Sequence, residues 1–182
     1  MSVADDKPLI QGLAAGQEAA FAALYDRFAV PLFRVALAIL GSRQDAEDAV
    51  QEVFVSLVRA RHKLIGVENL RAYLFASLRH TAIRLSANHN LRTSEACPDL
   101  TLIPTRPREA LETGDSVGLE HALGRLPPEQ REVVALKLDG ALTFAEIGSL
   151  LGISANTAAG RYRYALEKLR DALVEKSDEP SR

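Results

Sequence analysis

The chain has 182 residues, 47% of them apolar and 25% charged, a globular balance that excludes a chain disordered throughout and fits one or two small domains. Lys and Arg number 22 against 24 Asp and Glu, a net charge of −2, which excludes a histone-like polycation but not a locally basic face. The single cysteine, Cys97, excludes both an intramolecular disulfide framework and a Cys-rich zinc site.

The apolar residues are of the helix-forming kind. There are 28 Ala and 27 Leu against 12 Val and 7 Ile, and no sustained apolar/polar alternation. The fold class expected is all-α, in two small helical domains joined by a flexible linker. A first helix is expected from about Gln17, because Phe21, Leu24, Phe28, Leu32, Val35, Ala36 and Ile39 recur at three- and four-residue steps. Pro31 is expected to kink or split it. Gly41 ends it, and Ser42 with Asp45 starts a second helix at capping-box spacing. That helix is expected to run to about Lys63, with Val50, Val53, Phe54, Leu57 and Val58 inward. A third, Glu68 to Asn88, carries Leu70, Leu74, Leu78, Ala82 and Leu85 on one face.

Pro98, Pro104 and Pro107 then fall in one ten-residue window, and Thr93 to Gly118 has no helical stripe, so this stretch is expected to be the linker. The second domain is expected to open near Leu119. Pro127 and Pro128 suit a helix start, with Val133, Val134, Leu136 and Leu138 following. Asp139-Gly140 makes a turn, and Thr143 with Glu146 is a Thr-x-x-Glu capping box. A short helix to Leu151, a turn at Gly152, and a longer helix from about Ala155 to Val174 form a helix-turn-helix pattern. Gly148 leaves room for the second helix to approach. The longer helix is expected to bury Ala158, Tyr162, Ala165, Leu166, Leu169 and Leu173. Asn156, Thr157, Gly160, Arg161, Arg163 and Tyr164 lie off that face, a polar and basic start that suits the DNA major groove. An ordinary helical hairpin with a solvated face has the same pattern.

Leu126-Pro127-Pro128-Glu129-Gln130-Arg131, then Thr143-Phe144-Ala145-Glu146-Ile147-Gly148, then Arg161 with Glu167-Lys168-Leu169-Arg170, resembles region 4 of bacterial sigma factors. Asp45-Ala46-Glu47-Asp48-Ala49-Val50-Gln51-Glu52-Val53-Phe54 resembles their region 2.2. Order and spacing are similar to the extracytoplasmic-function type of the sigma-70 family. The resemblance implies region 2 at 10–92, a linker at 93–117 and region 4 at 118–176. It further implies docking on core RNA polymerase through Asp48, Gln51 and Glu52, where charge pattern alone would read as a solvated face. For the −10 element it implies Arg71, Tyr73, Arg79, His80 and Arg84; for the −35 element, Asn156, Thr157, Arg161, Arg163 and Tyr164. Promoter DNA and an anti-sigma factor are the further partners it implies, with a cytoplasmic location.

Residues 64–92 carry a surplus of +3, which suits phosphate neutralisation, and Tyr73 and Phe75 are the aromatics there that would stack bases. Phe75 fits a core role equally well. Three departures from the family pattern stand out: Tyr73 where Trp is common, His80 where Asn is common, and Ala158, Ala159 and Gly160 before Arg161. The last implies weakened or altered −35 reading, for which Arg163 and Tyr164 would compensate.

His62, His89 and His121 have no metal-ligand spacing, and no phosphate loop or nucleophile–base arrangement occurs. No enzymatic activity, cofactor or metal is expected. Met1 to Lys7 has no signal-peptide pattern and Val35 to Leu40 is too short to span a membrane, so no membrane insertion is expected. Two rival readings remain: a helix-turn-helix regulator that acts without polymerase, and a sigma-like decoy that occupies polymerase without opening promoters.

Overall fold

The computed structural model describes the backbone of residues 6–94 and 122–177, and the side chains of 6–87 and 122–172. The chain divides into two compact units, residues 1–103 and 104–182. The described residues are helical, with no strand among them.

In the first unit, α1 spans Lys7–Ala14, α2 Glu18–Leu40, α3 Arg43–Arg59 and α4 Leu70–Ser94. Helix α2 buries Ala20, Leu24, Phe28, Leu32, Val35 and Ala36, one stripe along most of its length. It runs unbroken through Pro31, against the expectation of a split. Buried Phe28 and Leu32 flank the proline, and this tertiary packing outweighs a local cost of about 3 kcal/mol. Gly41 ends α2 in the left-handed region, at φ 71°. The Ser42 hydroxyl then caps α3 by accepting from the Asp45 amide at 3.3 Å.

Helix α3 stops at Arg59, four residues short of the expected end, and the chain tightens into a 3-10 turn over Arg61–Gly66. The turn draws Leu64 fully into the core. Val58, expected inward, is exposed, and Phe54 is half-buried against the Tyr25 ring at 5.2 Å. Asn69 caps α4, its Oδ1 accepting from the Ala72 amide at 3.0 Å. Leu70, Leu74, Phe75, Leu78 and Ala82 form the buried face of α4. Phe75 is therefore a core residue, and base stacking is closed to it.

Helix α1 has no counterpart in the sequence expectations, because eight residues with two buried large side chains, Ile10 and Leu13, give no sustained period. It is held by tertiary contacts instead. Arg27 Nη1 donates to Asp6 Oδ1 at 2.7 Å, with the Asp6 side chain 9% exposed. Gly12 lies so close to α2 that an added Cβ would stand 2.8 Å from Ala20 Cβ.

In the second unit, a helical turn at 122–125 leads into α5 (Pro128–Leu138), α6 (Phe144–Leu151) and α7 (Ala155–Ser177). Ala122, Leu126, Val134, Ala165 and Leu169 make a core cluster between the entry turn, α5 and α7. Leu166, expected inward, is exposed, as is Leu138 at the end of α5. Tyr162 packs its ring against Phe144 at 5.6 Å. The expected linker, with Cys97, Glu109, Glu112 and Asp115, lies outside the described residues, as do His121 and the side chains of His89 and Leu173.

Candidate docking and nucleic-acid interfaces

The helix-turn-helix is built by local chemistry at each joint. Thr143 Oγ1 accepts from the Glu146 amide at 3.2 Å, and Glu146 Oε2 accepts from the Thr143 amide at 2.7 Å. This reciprocal box fixes the start of α6. Gly152 closes α6 at φ 69°, and its amide donates to the Gly148 carbonyl. Ser154 then caps α7, its Oγ accepting from the Thr157 amide at 3.0 Å. Lys137 braces the motif from α5, donating to the Leu142 carbonyl at 3.1 Å with its ammonium 4.8 Å from the Phe144 ring centroid.

The start of α7 presents Asn156 and Thr157 to solvent. Two turns further, Arg163 and Tyr164 are exposed, with the guanidinium 5.5 Å from the tyrosine ring centroid. Arg161 behaves differently. Its side chain is 30% exposed and its Nη2 pairs with Glu129 Oε2 of α5 at 2.9 Å. A Cβ at Gly160 would meet nothing within 4 Å, so no steric demand accounts for that glycine.

On the first unit, the three residues expected to dock polymerase separate. Asp48 and Gln51 are exposed, whereas Glu52 turns towards α4 and pairs with Arg84. Gln51 lines an open groove between α2 and α3 whose apolar wall is Tyr25, Val30, Phe33, Phe54 and Val55. Tyr25 and Val30 of α2 are 57% and 56% exposed and Val55 of α3 is 46% exposed, an unusual solvation of large apolar side chains on adjacent helices. The sequence reading missed the α2 side of this groove. Its one sequence signal was that Tyr25, Val30 and Phe33 fall off the inward stripe of α2.

Along α4, the Arg71 guanidinium lies over the Phe28 ring at 5.2 Å. Tyr73 and Arg79 are half-buried and His80 is exposed. Just ahead of α4, the 3-10 turn presents Arg61, His62, Lys63 and Ile65, with Ile65 75% exposed. These four were also missed. Drawing the basic segment from Leu64 cut off the run Arg61-His62-Lys63, which is its signal. Among the described residues no cluster of His, Cys, Asp and Glu could hold a metal ion, and no helix is long and apolar enough to cross a membrane.

Comparison with known proteins agrees with both halves of this picture. Residues 24–91 match Sigma-70 region 2, and residues 122–171 match Sigma-70, region 4. The chain is 33% identical over 172 residues to the ECF RNA polymerase sigma factor SigL of Mycobacterium tuberculosis, covering 91% of this chain and 96% of SigL. It is 31% identical over 161 residues to the ECF RNA polymerase sigma factor SigE of Mycolicibacterium smegmatis, covering 81% and 59%. Among solved structures, CnrH in complex with the cytosolic domain of CnrY shares the fold, with a TM-score of 0.63 and 23% identity over 96% of this chain and 99% of that one. The sigma factor RpoE of Bartonella quintana, in complex with the anti-sigma factor NepR, gives a TM-score of 0.58 and 22% identity over 81% and 91%. Sigma factors are regulators rather than enzymes. The chain belongs to the sigma-70 family and is an alternative sigma factor of the extracytoplasmic-function type.

Proposed function

We propose that this sigma factor docks core RNA polymerase through α3 and the adjoining groove, and reads a promoter with α4 and α7. Asp48, Gln51 and Glu52 supply the polar part of the docking surface, and Tyr25, Val30, Phe33 and Val55 the apolar part. The observation that carries this reading is the solvated apolar groove beside exposed Asp48 and Gln51. Apolar area left in water with a polar rim is the usual composition of a protein-binding patch.

The −10 element falls to α4 and the turn before it. Tyr73 offers an aromatic face, His80 an exposed ring with donor and acceptor nitrogens, and Arg71 and Arg79 positive charge. For the −35 element, Asn156, Thr157, Arg163 and Tyr164 face outward at the start of the second helix of the motif, the usual position for contact with base edges. Arg161, partly buried and paired with Glu129 of α5, would set the orientation of α7 for these contacts. Region 2 is taken as 10–92, the linker as 93–117 and region 4 as 118–176. The chemistry of RNA synthesis is polymerase's, this chain adding no catalytic group, cofactor or metal of its own, and the site of action is the cytoplasm. An anti-sigma factor covering these surfaces is a further expected partner, supported by the complexes of CnrH with CnrY and RpoE with NepR.

Run-off transcription with purified core polymerase, on promoters from the same genome, tests the reading. A discrete transcript that depends on this chain is expected. Core binding with no transcript on any template would mean a decoy. A stable complex of the isolated chain with duplex promoter DNA, and no core binding, would mean a regulator independent of polymerase.

A further inference from the structure

We infer that Arg84 belongs to the docking surface, where it positions the Glu52 carboxylate, and not to the promoter-reading surface. The inference rests on the docking reading above and assigns one more residue to that site.

Residues at i, i+3 and i+4 share one face of a helix, so Asp48, Gln51 and Glu52 fan over about 100° of arc with Asp48 between the other two. Gln51 takes the α2 side of α3, and Asp48 the crest. Glu52 falls on the α4 side, where Arg84 Nη2 meets its Oε1. Among the described residues each is the other's ionic partner, with side chains 51% exposed for Arg84 and 41% for Glu52. A pair this exposed adds little to folding stability. Its effect is on freedom: a flexible glutamate is held in one arrangement, leaving Oε2 to face a cation or N–H donor on polymerase. Holding a contact residue in its bound geometry raises affinity by reducing what must be ordered on binding.

The same pairing makes Arg84 a poor phosphate ligand. A DNA phosphate approaching it would meet the Glu52 carboxylate, and the net local charge is zero. Counterion release, which drives phosphate binding, needs an unneutralised cation. The promoter-facing surface of this unit is then assigned without Arg84, and exposed Arg61 and Lys63 on the preceding turn add positive charge to it.

The test uses the full chain and core polymerase, with Glu52→Gln, Arg84→Gln, Arg84→Lys and the double Glu52→Gln/Arg84→Gln. Matching helical circular dichroism and melting establish that each variant is folded. Glu52→Gln and Arg84→Gln should each weaken core binding about threefold, the ordinary range for one exposed charge pair. The double variant should be no weaker than Glu52→Gln alone, and Arg84→Lys should recover most of the loss. The salt dependence with which holoenzyme captures the −10 single strand should be unchanged by Arg84→Gln. An unchanged core affinity for Arg84→Gln, with a salt slope reduced by about one, would place Arg84 on a phosphate and overturn the inference. If Glu52→Gln weakens core binding and Arg84→Gln does not, this inference alone fails. If neither weakens it, the assignment of Glu52 to docking fails as well.

Discussion

Replacing Gly148 with alanine should open the helix-turn-helix, and the same replacement at Gly160 should tighten it. At Gly148 the added Cβ would stand 2.7 Å from the Ile153 carbonyl oxygen, 3.1 Å from the Ala155 amide nitrogen and 3.2 Å from the Ser154 carbonyl carbon. All three are backbone atoms of the turn, so no side chain can swing aside. Relief requires the start of α7 to move away from α6 by several tenths of an ångström. Overpacking of this kind costs about 1–3 kcal/mol. Alanine in a helix returns about 1 kcal/mol relative to glycine, leaving a net loss of up to about 2 kcal/mol. At Gly160 nothing lies within 4 Å, so only the favourable propensity applies, about 1 kcal/mol. The chain has two compact units, and a single melting temperature would merge them. Hydrogen exchange resolved by segment is therefore the assay. Amides of 144–165 should exchange faster in Gly148→Ala, by up to roughly thirtyfold, and more slowly in Gly160→Ala. Equal protection in the two variants would refute the claim that close backbone approach at Gly148 sets the α6–α7 geometry.

Asp6→Ala should release α1, because Arg27 loses the partner held at 2.7 Å; amides of α1 should lose about 1.5–3 kcal/mol of protection while α7 is unchanged. Unaltered exchange across residues 7–14 would show that Ile10 and Leu13 alone hold the helix. Arg163→Ala should reduce the salt slope of holoenzyme binding to duplex −35 DNA by about one and weaken it on all sequences, if its contact is to phosphate. Loss confined to one base-pair position would assign it to a base edge instead, and an unaltered footprint would remove it from the interface.

The local joints of this molecule were legible in the residues themselves. Ser42, the Thr143–Glu146 box and the turn at Gly152 all act within a few residues of chain, through hydrogen bonds and backbone conformations that depend on little else. The inward stripes of α2 and α4 were legible for the same reason, since a period of 3.6 repeats over many turns. The resemblance to region 2.2 and region 4 rested on these same local runs.

What only the tertiary structure decided is where each helix meets its neighbour. Helix α1 is too short to carry a period and is held by contacts from elsewhere in its unit, the burial of Ile10 and Leu13 and the pairing of Asp6 with Arg27, 21 residues away. The end of α3 was set by Leu64 finding a buried site, which turned Arg61, His62 and Lys63 outward in a 3-10 turn. Val58, Leu138 and Leu166 sit near inward stripes yet are exposed, because among the described residues nothing covers that arc. Most consequential for function, the charged residues of the expected sites were sorted by partners far along the chain. Glu52 went to Arg84 and Arg161 to Glu129, while Arg163 and Tyr164 were left outward with only each other. A sequence fixes which face of a helix a side chain occupies. The charge that waits opposite depends on how the helices pack, and the packing energy is dominated by apolar burial, not by the ion pairs themselves.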